Sequence, residues 1–264
     1  MVNEHRARKR FGQNFLHNPG IIDRIIAAVN PGKTDYLIEI GPGQGALTDK
    51  LVDHCCHLDV IEIDRDLAAV FQQRYADKEN FTLHTADVLK FDFASLPLNE
   101  KPYKVIGNLP YNISTPLIFR LLSCKHLFSE MLFMLQLEVV DRMSAGPGSK
   151  SYGRLSIMTQ YHCKVEKLFS VPPTAFKPQP KVDSAIVRLV PWAEPPFPAK
   201  DPAMLETVVR TAFSQRRKTL QNSLKTLLDK SLLQALSIDG TRRPETLSLA
   251  EYVSISNALG EDHL

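Results

Sequence analysis

Glu39-Ile40-Gly41-Pro42-Gly43-Gln44-Gly45 follows directly on the apolar run Tyr36 to Ile40 and precedes a stretch, from about Ala46, with a helical pattern. Glycine permits the tight turn between a strand and a helix, and it lets backbone N–H groups approach a ligand at the positive end of that helix. Residues 41–46 also satisfy G-x-G-x-x-G/A, with Ala46 closing the pattern. Glu62 follows about 20 residues on, where a carboxylate holds a ribose in dinucleotide-binding folds. By itself the stretch therefore admits an NAD-linked oxidoreductase.

Outward from this loop, short apolar runs alternate with helical patterns. Before it, Asn18 and Pro19 read as N-cap and first helical residue, followed by Ile21, Ile22, Ile25, Ile26 and Val29 at helical spacing. After it come Leu58 to Ile63, a helix from Asp66, Phe81 to His84, Lys104 to Ile106, a helix after Ser114, Met131 to Gln136, and a helix leading to Met143. This cadence predicts an α/β fold, a Rossmann-like doubly wound and mostly parallel sheet. Ser144 to Ser151 reads as a loop, Gly153 to Cys163 as a helix, and Lys164 to Ser170 and Val182 to Val190 as an antiparallel hairpin at the sheet edge. Prolines 191, 195, 196, 198 and 202 mark residues 191–202 as a semi-rigid linker between a sheet domain (1–190) and a small all-helical domain (203–264). Helices are predicted there over Met204 to Phe213, Arg216 to Leu228, Ser231 to Leu236 and Leu249 to Leu259. The single Trp192 reads as a packing residue at the domain junction.

The chain has 264 residues, 44% hydrophobic and 23% charged, which are globular averages and exclude a collagenous or coiled-coil protein. The net charge is only +3, yet the excess is local: Arg6, Arg8, Lys9 and Arg10 stand near the amino terminus, and Lys200 to Lys230, with Arg216, Arg217 and Lys218 at its centre, is basic. Such patches fit a polyanion that touches defined surfaces. The sequence MVNEHRARKR has no signal-peptide pattern, and no apolar run approaches a membrane span, so a cytoplasmic protein without membrane contact is expected. Cys55, Cys56, Cys124 and Cys163 show no C-x-x-C spacing and read as thiols. His54-Cys55-Cys56-His57 cannot turn four consecutive side chains toward one tetrahedral ion, so no metal is expected.

Glu39, Glu62, Asp87 and Asn108 each fall at or just after the carboxyl end of a predicted strand, roughly 20–25 residues apart. In an open parallel sheet those ends converge on one crevice. Polar groups placed so suit a ligand with an ammonium, two ribose hydroxyls and an exocyclic adenine amine, such as S-adenosyl-L-methionine. Asn108-Leu109-Pro110-Tyr111 forms a compact acceptor for a planar amine: the Asn oxygen and a backbone carbonyl accept two N–H bonds while Tyr111 offers a stacking face. Accepting both protons turns the nitrogen lone pair outward, toward an electrophilic methyl.

Four motifs carry a family resemblance: Arg10-Phe11-Gly12-Gln13-Asn14-Phe15-Leu16; Glu39 to Gly45 with Leu47-Thr48; Asn108-Leu109-Pro110-Tyr111-Asn112-Ile113-Ser114; and Ala175-Phe176-Lys177-Pro178-Gln179-Pro180-Lys181-Val182-Asp183-Ser184. Over residues 6–225 the chain resembles the rRNA adenine N6-dimethyltransferases, class I methyltransferases. Phe213 to Leu224 is similar to the bacterial small-subunit type rather than to the 23S rRNA resistance enzymes. The resemblance implies that Gln13, Asn14 and Leu16 close over the methyl donor, with Glu39, Gly41 and Gly43 in the loop at its methionine part. It implies Glu62 on the ribose hydroxyls, Asp87 on the adenine amine, and Ile63 and Val88 against the adenine ring. Asn108, Leu109 and Tyr111 would hold the target adenine, and Phe176 would stack on its other face. The implied substrate is two adjacent adenosines in the 3′-terminal hairpin of 16S rRNA, each methylated twice, in the pre-30S particle late in 30S biogenesis.

Beside an adenine pocket the basic residues Arg6, Arg8, Lys9, Arg10, Arg216, Arg217 and Lys218 read as phosphate contacts, the last three opening a helix whose buried stripe is Leu220, Leu224 and Leu227. No unpaired apolar helix is evident, so a monomer is expected. The rival readings are a 23S rRNA adenine methyltransferase, a non-catalytic ribosome-assembly factor that keeps the fold, and the NAD-linked oxidoreductase. The last leaves Asn108 to Tyr111 unexplained. Melting curves separate it: adenosylmethionine should raise the melting temperature and NAD should not, and the reverse would favour the oxidoreductase.

Overall fold

In the computed structural model, residues 13–97, 99–215 and 217–260 are described. The chain runs β1 (Phe15–Leu16), α1 (Pro19–Val29), β2 (Tyr36–Ile40), α2 (Thr48–Leu51), β3 (His57–Glu62), α3 (Arg65–Arg74) and β4 (Phe81–Thr85). Then follow β5 (Tyr103–Asn108), α4 (Ser114–Ser123), β6 (Phe128–Gln136), α5 (Leu137–Ser144), α6 (Arg154–His162), β7 (Cys163–Val171), β8 (Phe176–Lys177) and β9 (Ser184–Pro191). Four helices close it: α7 (Pro202–Ala212), α8 (Leu220–Ser223), α9 (Lys230–Ala235) and α10 (Leu249–Leu259).

Seven strands form one sheet in the order β4-β3-β2-β5-β6-β9-β7. Pairings from β4 through β6 are parallel, and β9 runs antiparallel to β6. Strands of a doubly covered sheet carry continuous apolar runs because both faces are dry. Leu37, Ile38 and Ile40 of β2, Leu58, Val60 and Ile61 of β3, and Met131 to Leu135 of β6 are all buried. Alternate residues serve opposite faces, so Leu37, Leu58, Val60, Ile106, Leu132 and Met134 share a buried cluster with Ile21, Ile25 and Val29 of α1 and Phe71 of α3. Helix α1 starts as its sequence predicts: Asn18 Oδ1 accepts from the Ile21 N–H at 3.1 Å, and Pro19 fills the first position. A separate ribbon pairs β1 with β8 antiparallel, Leu16 opposite Phe176.

The chain forms two compact units. The first comprises the described residues up to Val140 together with Glu166–Pro191 and holds the sheet. The second comprises Asp141–Val165 and the described residues from Trp192 onward. The division expected from the sequence is continuous, with 1–190 in one domain, and the structure differs at Asp141–Val165. The reason lies in α6, where Leu155, Ser156, Ile157, Met158, Thr159 and Tyr161 are all buried. A helix apolar on nearly every side needs cover all round.

Residues 191–202 are not a free spacer either. Trp192 donates from its backbone N to His162 O at 3.0 Å and from Nε1 to Gln160 O at 3.1 Å, while Lys200 N donates to Asn257 Oδ1 at 2.7 Å. The helix expected over Arg216 to Leu228 is reduced to the single turn α8, whose first N–H groups, of Leu220 and Gln221, donate to the carbonyls of Arg242 and Gly240. Arg217 and Lys218 therefore lie before α8 as exposed turn residues rather than opening a long helix. Among the described residues no helix is long and apolar enough to cross a membrane.

One close approach sets the position of the sheet's functional end. Gly107 lies opposite Ile40, and a Cβ there would stand 2.7 Å from the Ile40 carbonyl oxygen and 2.9 Å from Leu109 Cδ2. Gly107→Ala should lower stability by about 1–3 kcal/mol, as overpacking does, read from urea unfolding. Unchanged stability would mean that β5 can part from β2 without loss.

Candidate functional site

Parallel register brings the carboxyl ends of β2, β3 and β5 to one edge, Ile40 lying beside Ile61 on one side and Gly107 on the other. The chain leaves the sheet there in loops, and these wall a cleft of about 330 Å³. Its lining includes nearly every residue singled out for cofactor and base: Gln13, Asn14, Leu16, Glu39, Gly41, Gly43, Glu62, Ile63, Asp87, Val88, Asn108, Leu109 and Tyr111. The volume is in the range of ordinary small-molecule sites.

The glycine loop forms the floor. Gly41, Gly43 and Gly45 all have positive φ (66°, 60° and 94°), a region in which a side chain is strained. A Cβ on Gly43 would also sit 3.0 Å from the Phe15 ring, so the amino-terminal segment packs directly on the loop. The helix expected from Ala46 begins only at Thr48 and lasts one turn, the intervening residues being successive turns. Backbone N–H groups of the loop, rather than a long helix dipole, are thus what this floor offers a ligand.

Two buried carboxyl groups border it. Glu39 is 2% exposed and accepts a hydrogen bond from Thr48 Oγ1 at 2.6 Å. Burial pushes its pKa up to about 8, with the Thr48 bond opposing and Asp49 and Glu62 reinforcing. Glu62, 4% exposed, is raised to about 7 by burial, against backbone N–H groups of Asp64 (2.7 Å), Ile63 and Gly43 that favour its ionised form. Ile63 stands beside Glu62 with 45% of its surface exposed, an apolar side chain at the cleft wall that a bound ring would cover. Val88 lines the wall, and Asp87 Oδ1 caps the following turn through the Leu89 N–H at 3.0 Å.

Asn108, the last residue of β5, donates from Nδ2 to the backbone carbonyl of Asn14 at 2.9 Å. This fixes which way the amide points and leaves Oδ1 as the acceptor available to a ligand. Leu109 N donates to Met134 O and Ile113 N to Pro110 O, so the Asn108 to Ile113 turn is held at both ends. Tyr111 is half-buried, its hydroxyl 2.9 Å from Ser184 Oγ. Gln13 Nε2 donates to Asp64 Oδ2 at 3.3 Å, a second tie between the amino-terminal segment and the cleft wall.

Phe176 is not brought to this cleft. Paired with Leu16 across the β1–β8 ribbon, its ring is buried in the cluster that includes Ile21, Ile25, Val171 and Ala175, and the cleft lining does not include it. In this structure the ring is part of the core. Arg6, Arg8, Lys9, Arg10 and Arg216 lie outside the described residues. His54 to His57 diverge, His54 Nδ1 meeting Lys50 O, Cys55 Sγ meeting Val52 O and His57 Nε2 meeting Thr82 Oγ1.

Comparison with known proteins decides the family. The sequence profile described as "Ribosomal RNA adenine dimethylase" matches residues 4–261. The chain belongs to that family. It is 59% identical over 258 residues to Ribosomal RNA small subunit methyltransferase A of Pseudomonas putida, covering 98% of this chain and 97% of the relative. The protein of the same name from Saccharophagus degradans is 57% identical over 255 residues, 97% and 95% of the two chains. Among solved structures, a dimethyladenosine transferase from Plasmodium falciparum superposes with a TM-score of 0.78 at 29% identity, covering 91% of this chain and 95% of that one. The 23S rRNA methyltransferase ErmE gives 0.71 at 25% identity, with 94% and 100% covered. The adenine dimethylase fold, enzyme class and S-adenosylmethionine dependence expected from the sequence hold, and the oxidoreductase alternative falls.

Three partners of cleft residues escaped the sequence reading: Thr48 bonded to Glu39, Asp64 bonded to Gln13, and Ser184 bonded to Tyr111. Thr48 and Ser184 stand within recognised motifs, but only the fold supplies their partners.

The raised pKa of Glu39 has a signed consequence for stability. Between its ordinary 4.5 and about 8 the folded state holds a proton that the unfolded state has released, so stability falls as pH rises through that window. Glu39→Gln should therefore gain melting temperature relative to wild type progressively from pH 4.5 to about 8, with the difference smallest at the acid end. A pH-independent difference would show that Glu39 titrates normally.

Proposed function

We propose that this protein transfers methyl groups from S-adenosylmethionine to N6 of two adjacent adenosines in the 3′-terminal hairpin of 16S rRNA, acting as a cytoplasmic monomer on the pre-30S particle. The observation that carries the reading is the Asn108–Asn14 hydrogen bond, which presents Asn108 Oδ1 at the rim of a cleft walled by carboxylates and by an exposed Ile63. An acceptor held in that orientation, with a neighbouring backbone carbonyl, suits an exocyclic amine with two hydrogens to donate.

The cleft also fits the methyl donor. Glu39 suits an ammonium, since burial disfavours its unpaired charge and an adjacent cation would relieve that penalty. Glu62 suits vicinal hydroxyls, Asp87 an adenine amine, and Ile63 with Val88 the faces of its ring. When bound, the donor supplies an electrophilic methyl on a sulfonium sulfur. Because that carbon is reactive already, the protein's task is to place N6 in line with it. Asn108 Oδ1 and the backbone carbonyl accept the two N6 hydrogens, so the nitrogen lone pair points at the methyl carbon. The bound donor would give up its methyl group and keep the C–S electron pair on sulfur, and N6 would release a proton. No side chain is assigned as general base.

Swinging the target base out of its stack costs a few kcal/mol. A stacked aromatic face returns about 1–3 kcal/mol, and Tyr111 in the cleft lining offers one. The sheet-bearing unit carries this chemistry, while the basic residues, Arg217 and Lys218 in the second unit among them, contact phosphates. Binding to subunits then weakens steeply with salt.

The test incubates the protein with radiolabelled adenosylmethionine and small subunits lacking these dimethyladenosines, with large subunits in parallel, followed by nucleoside analysis. Dimethyladenosine in small-subunit rRNA alone is expected. Asn108→Ala should slow single-turnover transfer roughly 100-fold, as a misplaced acceptor does, while still binding the subunit. Label in the large subunit, or none despite cofactor binding, would overturn the reading in favour of a 23S rRNA enzyme or a non-catalytic assembly factor.

A further inference from the structure

Ser184 is fully buried and opens β9, where its backbone pairs with Gln136 of β6. One residue earlier, the Asp183 carbonyl accepts from Leu137 N at 2.9 Å. The backbone on both sides of this serine is therefore pinned to the sheet. Its hydroxyl stands 2.9 Å from that of Tyr111, 73 residues away in sequence.

Tyr111 is placed differently. It sits in the turn after β5, whose hydrogen bonds, from Ile113 N to Pro110 O and from Ser114 Oγ to Tyr111 O, fix the backbone but not the ring. Two side-chain torsions remain, and a stacking surface left free in both presents its face at no fixed angle. A hydrogen bond at the far end of the ring removes that freedom. The partner here is a rigid, buried hydroxyl rather than water, so the anchor moves only if β9 moves.

We propose that Ser184 is a positioning residue for methyl transfer, which holds the Tyr111 ring by its hydroxyl at the angle against which the acceptor base stacks. This rests on the methyltransferase reading of the same cleft. Stacking in itself needs only an aromatic face, which phenylalanine would supply equally. The hydroxyl pair is what converts that face into a fixed wall, and near-attack placement of N6 depends on such a wall. The effect therefore falls on the rate of the bound complex and not on subunit affinity, which phosphate contacts dominate.

The test compares wild type, Ser184→Ala, Tyr111→Phe and the double variant in single-turnover methyl transfer to unmethylated small subunits, in subunit binding and in melting temperature. Each single variant should lose about tenfold in rate with subunit affinity unchanged, and the double variant should lose no more than the worse single one. Losses that multiply in the double variant would show that Ser184 acts by packing alone and would overturn the proposal. If Ser184→Ala melts well below wild type, Tyr111→Phe decides, since it removes only a hydroxyl: a tenfold slower rate supports the proposal and a wild-type rate overturns it. Absence of transfer by the wild-type protein would instead bring down the underlying methyltransferase reading, an outcome visible before any variant is compared.

Discussion

Parallel pairing of β2 with β3 on one side and β5 on the other is the constraint from which the site follows. With Ile40 level with both Ile61 and Gly107, the next residues, Gly41, Glu62 and Asn108, must emerge on one rim. A slip of one residue in either ladder would send their side chains to the opposite faces. The absent side chain at Gly107 keeps β5 close enough to β2 for this alignment to hold. The chemistry of the cleft is thus set by backbone hydrogen bonds and by buried apolar residues that never meet a ligand.

On that rim the amino-terminal segment acts as a tie. Phe15 packs against Gly43, the Asn14 carbonyl orients Asn108, Gln13 reaches Asp64, and β1 pairs with β8. Loop 41–45, the Asn108 turn and the loop that carries Phe176 therefore share one short strand. Phe176, opposite Leu16 in this ribbon, packs in the buried cluster and helps hold β1 in place. Tyr111 lines the cleft with a face that a base can meet, which makes the orientation of its ring consequential.

Most of the fold was legible because its signals are local. Tyr36 to Ile40 and Leu58 to Ile63 read as strands since both faces are dry, and Leu249–Leu259 was legible to its ends, where Ser248 and Glu251 form a reciprocal cap. The errors fall where distant contacts override local pattern. Leu220, Leu224 and Leu227 have helical spacing, yet only one turn forms, its start tied to residues 240–242 through the N–H groups of Leu220 and Gln221. Helix α6 was foreseen as an element but not as part of the second unit, a matter of what covers it. The cleft residues were legible as a series of strand ends; their partners Thr48, Asp64 and Ser184 were not, since nothing in local spacing joins residue 111 to residue 184.

The two glutamates differ in what opposes their burial. A carboxyl group buried against apolar strands is driven toward its neutral form, and both Glu39 and Glu62 are so driven; the Thr48 hydroxyl opposes this at Glu39, and backbone N–H groups of Asp64, Ile63 and Gly43 oppose it at Glu62. The environment therefore separates two like residues on adjacent strands. Glu62 is readied as an acceptor whose ionised form the backbone already favours, fit for neutral hydroxyls. Burial makes a charge on Glu39 costly, and on the proposed reading an adjacent cation relieves that cost. A dinucleotide carries no ammonium to offer there, whereas a methionine moiety does. On the proposed reading, the same glycine loop that sequence alone leaves open to either ligand is biased by one buried acid, and the bias originates in burial rather than in the glycines.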